Sequence, residues 1–254
     1  MNRRALLSWL GASAASSLNP VSAGAEAQPQ KKTWVVSLES FCATGADQMP
    51  GLHAYLAGTL LPFLKQVHDG PRICLEAIVA PHAPQALLLA AYSSFDEMLD
   101  IRGRTASHPG IRQARADLES ARVLDQVQSQ VLTAARESLR FPADCDRLAT
   151  GVFEVRSYYA PGWGDRPPAR VSAVLSRAGI RPILNGSAGA SEHLPQVTYL
   201  IPFASLAARE EAWARADADP EWIDMQRESI ARHGSAVKVT GKSIYKLAPY
   251  STWA

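Results

Sequence analysis

The chain lacks a strong net charge of either sign. Its 26 lysines and arginines face 24 aspartates and glutamates, which leaves a formal net charge of +2 at pH 7. A surface that binds the phosphates of nucleic acid needs a clear local excess of positive charge. The composition therefore predicts no nucleic-acid partner.

Long apolar runs are also missing. The mildly apolar run from Ala5 to Leu18 is about 14 residues long, whereas a membrane-spanning helix needs about 20 apolar residues. No later run approaches that length. We therefore predict that the protein has no transmembrane segment.

Residues 1–30 have the pattern of an export signal followed by a disordered segment. Arg3 and Arg4 precede the apolar run, and small residues around Ala23 and Ala25 suit cleavage by a signal peptidase. The stretch Asn2–Leu7 resembles a bacterial twin-arginine signal, which predicts export to the periplasm or the medium. A Sec-type signal and an ordinary disordered basic N-terminus are the alternatives.

Sequence motifs for metal and nucleotide chemistry are absent as well. The six histidines and three cysteines form no H-E-x-x-H or C-x-x-C pattern, and there is no P-loop, G-x-G-x-x-G or G-x-S-x-G motif. We therefore predict no metal and no cofactor. Cys42, Cys74 and Cys145 are an odd number for an exported chain. We expect them to be buried thiols, because a twin-arginine substrate folds before export in a reducing compartment.

What the sequence does contain is an internal repeat. Pro84-Gln85 recurs as Pro195-Gln196, and His108-Pro109 recurs as Asp219-Pro220, each displaced by 111 positions. Between them, Tyr92-Ser93-Ser94-Phe95 recurs as Phe203-Ala204-Ser205-Leu206 at the same displacement. A constant displacement indicates two copies of one structural unit, which pack with pseudo-symmetry.

Both copies show the same order of predicted elements, β-α-β-β-α-β. In the first, alternation over 34–39 predicts a strand, and helical spacing over 50–67 predicts a helix that Pro62 should kink. This order is ferredoxin-like. The predicted fold class is α+β, with two tandem ferredoxin-like domains at 33–141 and 151–249 and a linker over 136–150. Helices on one face leave the other face of each sheet bare, so the two sheets should pack face to face.

The second unit resembles the NIPSNAP family. The match rests on Phe153–Tyr158 in the first strand, Pro161-Gly162 after it, Leu206–Glu210 at the start of a later helix, and Asp219–Trp222. The first unit matches more loosely and carries Glu39 where this motif has Arg156. The function of that arginine is therefore expected to be absent from the first unit.

This resemblance implies a tandem pair whose sheets form one pseudo-dimeric α/β barrel, but it implies no established activity. NIPSNAP proteins are associated with vesicles, mitochondria and protein interactions in animals. Related barrel families include cofactor-free monooxygenases, isomerases and haem-handling enzymes, and fold analogy alone does not choose among them.

The first strand of the second unit carries a candidate polar site. Alternation puts Glu154, Arg156 and Tyr158 on one face, and we expect that face to point between the two sheets. Glu39 is a further candidate partner for Arg156. An ion pair that sets the register of the sheets and a substrate-binding arginine are both consistent with the pattern.

A second candidate set lies on the first predicted helix. His53 and Tyr55 are expected beside the space between helices and sheet, where they could transfer a proton. The alternative is that His53 is an ordinary solvated or core histidine. Trp213 and Trp222 are expected to fill the core.

Two functions follow from these observations. The first is binding of a small apolar molecule or of a protein partner, with a homo-oligomer as one form of the latter. The second is a cofactor-independent monooxygenase or isomerase that acts on a small molecule. A closed pocket with converging Tyr, His or Arg side chains would discriminate between them.

Overall fold

A computed structural model describes residues 33–139, 151–163 and 168–251. The predicted export segment, most of the predicted linker and Cys145 lie outside these residues, and the predicted domain limits stay predictions. Within the described part of the chain, no helix is long and apolar enough to span a membrane.

The first half supplies four strands and the helices on their outer face. Its elements are β1 (Thr33–Ala43), α1 (Met49–Tyr55), a π-helical segment (Leu56–Leu60), α2 (Leu61–Val67), β2 (Arg72–Val79), β3 (Gln85–Tyr92), α3 (Phe95–Ser107), α4 (Pro109–Ser120) and β4 (Leu124–Ala135).

The second half repeats this order. Its elements are β5 (Val152–Tyr159), α5 (Ala169–Arg177), β6 (Leu184–Ala188), β7 (Gln196–Phe203), α6 (Leu206–Asp217), α7 (Pro220–His233) and β8 (Lys238–Leu247). The serine before each equivalent helix caps it in the same way. Ser94 Oγ accepts a hydrogen bond from the backbone N–H of Glu97, and Ser205 Oγ accepts one from Ala208, both at 3.1 Å. The repeat found in the sequence is therefore a repeat of structure.

The eight strands form one closed antiparallel barrel in the order β1-β3-β2-β8-β5-β7-β6-β4. The two halves join where β2 pairs with β8 and where β4 pairs with β6, the latter through Leu132 with Ala188 and Thr133 with Ser187. The predicted fold class is confirmed: each sheet covers the bare face of the other. The sheets also share backbone hydrogen bonds at both edges, which the sequence pattern did not predict.

An apolar core fills much of the barrel interior. Phe153 is completely buried at its centre, beside side chains from strands of both halves. The other fully buried members of this core are Val36, Ile73, Leu75, Leu89, Ala91, Leu132, Leu184 and Leu200. Because this core draws on both halves, we expect neither half to be stable without the other.

The first helix changes its winding before Pro62. Proline has no N–H to donate, so the carbonyl four residues earlier loses its usual partner. The structure accommodates the loss as the π-helical segment Leu56–Leu60, between α1 and α2. The predicted disturbance at Pro62 is thus a widened turn within a continuous helix.

The two described cysteines are free and buried, as predicted. Burial raises the pKa of the Cys74 thiol to about 12. It also raises the pKa of Cys42. Neither thiol is therefore activated as a nucleophile.

His68, just before β2, makes the stability of the fold depend on pH. Burial lowers the pKa of His68 below its ordinary value of 6.5. Glu97 and Asp69 raise this pKa and Arg72 lowers it, but burial has the largest effect. Its Nδ1 lies 3.4 Å from Glu97 Oε1, while Nε2 is buried without a partner. The unfolded chain therefore takes up a proton at a higher pH than the folded chain does.

We expect the free energy of unfolding to be at its full value above about pH 6.5 and to fall as the pH drops below that value toward the folded pKa of His68. Urea denaturation at a series of pH values between 7.5 and 5.5 measures the slope. His68→Gln should flatten it. An unchanged slope in this variant would assign the pH dependence to other groups.

Candidate functional site

Each half has a space between its helices and the outer face of its sheet, and the two spaces are equivalent. In the first half, Glu39 of β1 pairs with Leu88 of β3, and in the second half Arg156 of β5 pairs with Tyr199 of β7. Arg102 and Trp213 are likewise both the eighth residue of their helices, α3 and α6. The two spaces can therefore be compared position by position.

In the second half, Glu154 is the centre of a buried hydrogen-bond cluster. Its Oε2 accepts hydrogen bonds from Arg209 Nε at 2.9 Å and from Trp213 Nε1 at 2.6 Å. Its Oε1 accepts from Arg209 Nη2 at 3.0 Å and from Arg156 Nη1 at 3.3 Å. Arg209 and Glu154 thus form a two-pronged ion pair, the geometry that suits a guanidinium. The carboxylate is 0% exposed.

This cluster corrects the predicted orientation of the strand. Glu154, Arg156 and Tyr158 do share one face, but that face points toward the helices and not between the sheets. Phe153 and Val155 face the barrel interior instead. The physical reason is that the barrel interior is apolar, whereas α6 offers the charged carboxylate three donors.

Arg209 is a residue that the sequence analysis missed, and Trp213 was interpreted only as a core residue. The spacing Arg209-x-x-x-Trp213 puts both on one face of α6. This spacing could have indicated the site. An arginine on the same helix face as a core tryptophan is buried, and a buried arginine requires an acidic partner.

The remaining room in the second half is filled by aromatic rings. The Arg156 guanidinium lies 3.7 Å from the Trp213 ring centroid and 5.3 Å from that of Tyr158. Burial raises the pKa of Tyr158 and of Tyr199, so both hydroxyls stay protonated. The cavity left among these rings measures only about 10 Å³. The space between helices and sheet in the second half is therefore nearly filled by its own side chains.

In the first half, the equivalent space is open. Its volume is about 360 Å³, within the range of small-molecule pockets. Leu88 replaces Tyr199 and Arg102 replaces Trp213, so the rings that close the second half are missing here. Apolar side chains form much of its wall: Leu60, Leu64, Leu88, Ile101, Ile111 and Val127.

Three arginines line this first-half pocket, and Glu39 is its only acidic lining residue. Arg102 Nη2 donates to Glu39 Oε1 at 2.7 Å and to Ser129 Oγ at 2.8 Å, while its Nε is buried without a partner. Arg112 and Arg115 come from α4. The pocket therefore carries an excess of positive charge. The suggested pairing of Glu39 with Arg156 is wrong, because Glu39 pairs with Arg102 of its own half.

The two remaining candidates lie in different places. Tyr55 is buried in the first-half core. Burial is the main cause that raises its pKa; Glu39 also raises this pKa, whereas Arg115 lowers it. His53 does not pair with Tyr55. Its Nδ1 lies 2.7 Å from the hydroxyl of Tyr250, 197 residues later in the chain.

Another open space is a wide cleft of about 810 Å³ at the barrel mouth, between β4 and the loop after β6. Its lining consists largely of neutral amide and hydroxyl groups, including Gln128, Gln130 and Gln196. None of the predicted site residues lines it. Across the described ranges, no group of three or more His, Cys, Asp or Glu side chains could hold a metal ion.

Solved structures with similar folds include three kinds of protein. A single-residue variant of chlorite dismutase from Candidatus Nitrospira defluvii is 10% identical, with a TM-score of 0.51 over 87% of this chain and 93% of that one. A provisionally assigned monooxygenase from Lactobacillus acidophilus NCFM is 8% identical, with a TM-score of 0.45 over 85% and 93% of the two chains. A NIPSNAP family protein from Agrobacterium tumefaciens str. C58 is 14% identical, with a TM-score of 0.33 over 39% and 90%.

At such identities the likeness to chlorite dismutase shows the fold alone. No curated protein matches the chain. The family model of NIPSNAP matches residues 152–252, which is the half that carries the Glu154 cluster. The second half of the chain is therefore the part that is similar to NIPSNAP domains.

Proposed function

We propose that the protein binds a small, largely apolar molecule with an acidic end in the first-half pocket. The observation that carries the proposal is the difference between the halves. One helix–sheet space is open, apolar on one side and lined by three arginines, whereas its counterpart is closed by Trp213 and Tyr199.

The arginines define the acidic end of the ligand. Glu39 neutralises one of the three positive charges, which leaves an excess of two on the lining. A guanidinium binds a carboxylate through parallel hydrogen bonds.

The apolar wall defines the rest of the molecule. Leucine, isoleucine and valine side chains offer no hydrogen bonds, so a chain or ring of carbon atoms fits them better than a sugar does. The lining thus suits the binding of an apolar molecule.

Octanoate is a suitable probe for this pocket. We expect it to bind, and we expect Arg115→Ala and Arg112→Ala each to weaken binding about tenfold, since a hydrogen bond to a charged group contributes about 1.5 kcal/mol or more. Isothermal titration calorimetry measures the affinities. Octanamide, which lacks the charge, should bind about tenfold more weakly than octanoate.

A matched control is Arg227→Ala. Arg227 is an exposed helix arginine that pairs only with Asp224, so its removal should leave the affinity unchanged. Arg102→Trp gives a second test, because it introduces the side chain that closes the equivalent space in the second half. Full octanoate affinity in both Arg102→Trp and Arg115→Ala would refute the proposal.

A further inference from the structure

A separate cavity of about 210 Å³ lies on the other side of the α1–α2 helix, beside the end of the chain. Its lining includes Lys65, Arg72, Cys74, Tyr250 and Ser251, together with the helix residues around the π-helical segment. The segment after β8 is fixed there by hydrogen bonds. The N–H of Ala248 donates to the Cys74 carbonyl at 3.1 Å, and the N–H of Cys74 donates to Ser251 Oγ at 2.8 Å.

Three side chains lie in a series that ends at this cavity. Glu76 Oε2 lies 3.4 Å from His53 Nε2, and His53 Nδ1 is hydrogen-bonded to the hydroxyl of Tyr250 at 2.7 Å. The nearby carboxylate favours the tautomer with the proton on Nε2, in which Nδ1 accepts the Tyr250 proton. Lys246 Nζ, 3.0 Å from Glu76 Oε1, holds the other carboxylate oxygen.

Tyr250 also lines the cavity, and its hydroxyl lies 3.8 Å from the Cys74 sulfur, a weak donor. Burial is the main cause that raises the pKa of Tyr250. The hydroxyl therefore releases its proton only as it takes up another one. Tyr250 can therefore take up a proton from the cavity while it passes its own to His53.

The opposite side of the cavity carries positive charge. Arg72 is buried, and its Nη1 donates to the carbonyls of His68 and Gly70, which fixes the guanidinium. Lys65 is exposed at the rim. A negative charge that develops on a bound molecule would be stabilised from this side.

We propose that this cavity is an acid–base site for a small 2-oxo acid. Lys65 binds its carboxylate, and Arg72 stabilises the enolate oxygen. The bond between hydrogen and the carbon next to the carbonyl breaks, and its proton forms a new O–H bond at Tyr250. The former Tyr250 proton moves to His53 Nδ1, the electron pair stays on the enolate, and the reverse steps return a proton to carbon. No oxidant or reductant is needed.

In this step Tyr250 is the catalytic residue, since its oxygen exchanges the proton with the substrate. His53 and Glu76 are positioning residues that orient Tyr250 and stabilise the imidazolium. The hydrogen bonds of Ala248 and Ser251 already hold the end of the chain, so the side-chain series is not required for that purpose.

The test is hydrogen–deuterium exchange of the methyl group of pyruvate in D₂O, followed by proton NMR with the full chain. We expect exchange faster than in buffer alone. Tyr250→Phe and His53→Gln should each slow it at least tenfold, in keeping with general acid–base catalysis. Lys65→Ala should raise KM with little change in kcat, a division that a purely structural role would not produce.

The control is His82→Asn, in an exposed turn outside the cavity, which should exchange at the rate of the unaltered chain. Thermal unfolding of each variant confirms that it is folded. The proposal is overturned if the unaltered chain does not exceed the buffer rate, or if both Tyr250→Phe and His53→Gln retain full exchange. Octanoate binding in the first-half pocket is independent of either result.

Discussion

Glu154→Ala should lower the free energy of unfolding by about 3–5 kcal/mol, because it leaves the buried Arg156 without its counter-charge and Arg209 with only the exposed Glu210. Arg209 loses both of its bonds to the carboxylate, Arg156 loses one, and the Trp213 N–H loses its acceptor. Urea denaturation followed by tryptophan fluorescence gives the free energy by linear extrapolation. Glu154→Gln should cost less, since the amide oxygen still accepts.

The equivalent acidic residue of the first half is the matched control. Glu39 is 23% exposed and its partner Arg102 is 35% exposed, so solvent screens their attraction. Glu39→Ala should therefore cost no more than about 1 kcal/mol. Equal losses at Glu39 and Glu154 would mean that burial does not distinguish the two sites.

Phe153→Ala should have an effect of similar size for a different reason. The ring is completely buried in the barrel interior, and truncation of a buried phenylalanine costs about 3–5 kcal/mol through lost burial and the cavity that remains. Phe95→Ala, at a side chain that is 49% exposed, should change stability little.

Because both halves contribute side chains to the barrel interior, Phe153→Ala should destabilise both halves. Amide hydrogen exchange in β3 of the first half and in β7 of the second should accelerate together, as expected for one cooperative unit. Faster exchange confined to the second half would show that the halves unfold independently.

The overall fold was predictable because its information is local and repeated. Alternation in Phe153–Tyr158, the capping serines Ser94 and Ser205, and the constant displacement between the copies are each visible along the chain. Together they predict two units of the same topology. An apolar sheet face that must be covered then predicts how the units associate.

The candidate site was predicted less well, because it depends on contacts between distant residues. Alternation put Glu154, Arg156 and Tyr158 on one face, but it could not tell which face meets the helices, since both faces are buried. The choice depends on Arg209, which lies 55 positions after Glu154. Tyr250, the partner of His53, is more distant still, and no periodic pattern connects them.

The first-half pocket also depends on residues that are distant in the sequence, so it could not be predicted from local patterns. That Glu39 replaces Arg156 was visible in the sequence, and it was interpreted as a lost function. The structure shows that the substitution of Trp213 by Arg102 on the opposing helix matters as much, because it removes the ring that would fill the space. The pocket arises from several coordinated differences between the copies, which become visible only once the registers are known.

The central claim is that one half of this pseudo-symmetric barrel holds a ligand and the other half is closed. A crystal structure of the chain with octanoate tests it most directly. The account predicts one molecule per chain in the first-half pocket, with its carboxylate within hydrogen-bond distance of Arg102, Arg112 or Arg115 and its carbon chain along Leu60 and Leu88. An empty first-half pocket, or octanoate found only in the second half or in the cleft at the barrel mouth, would contradict it.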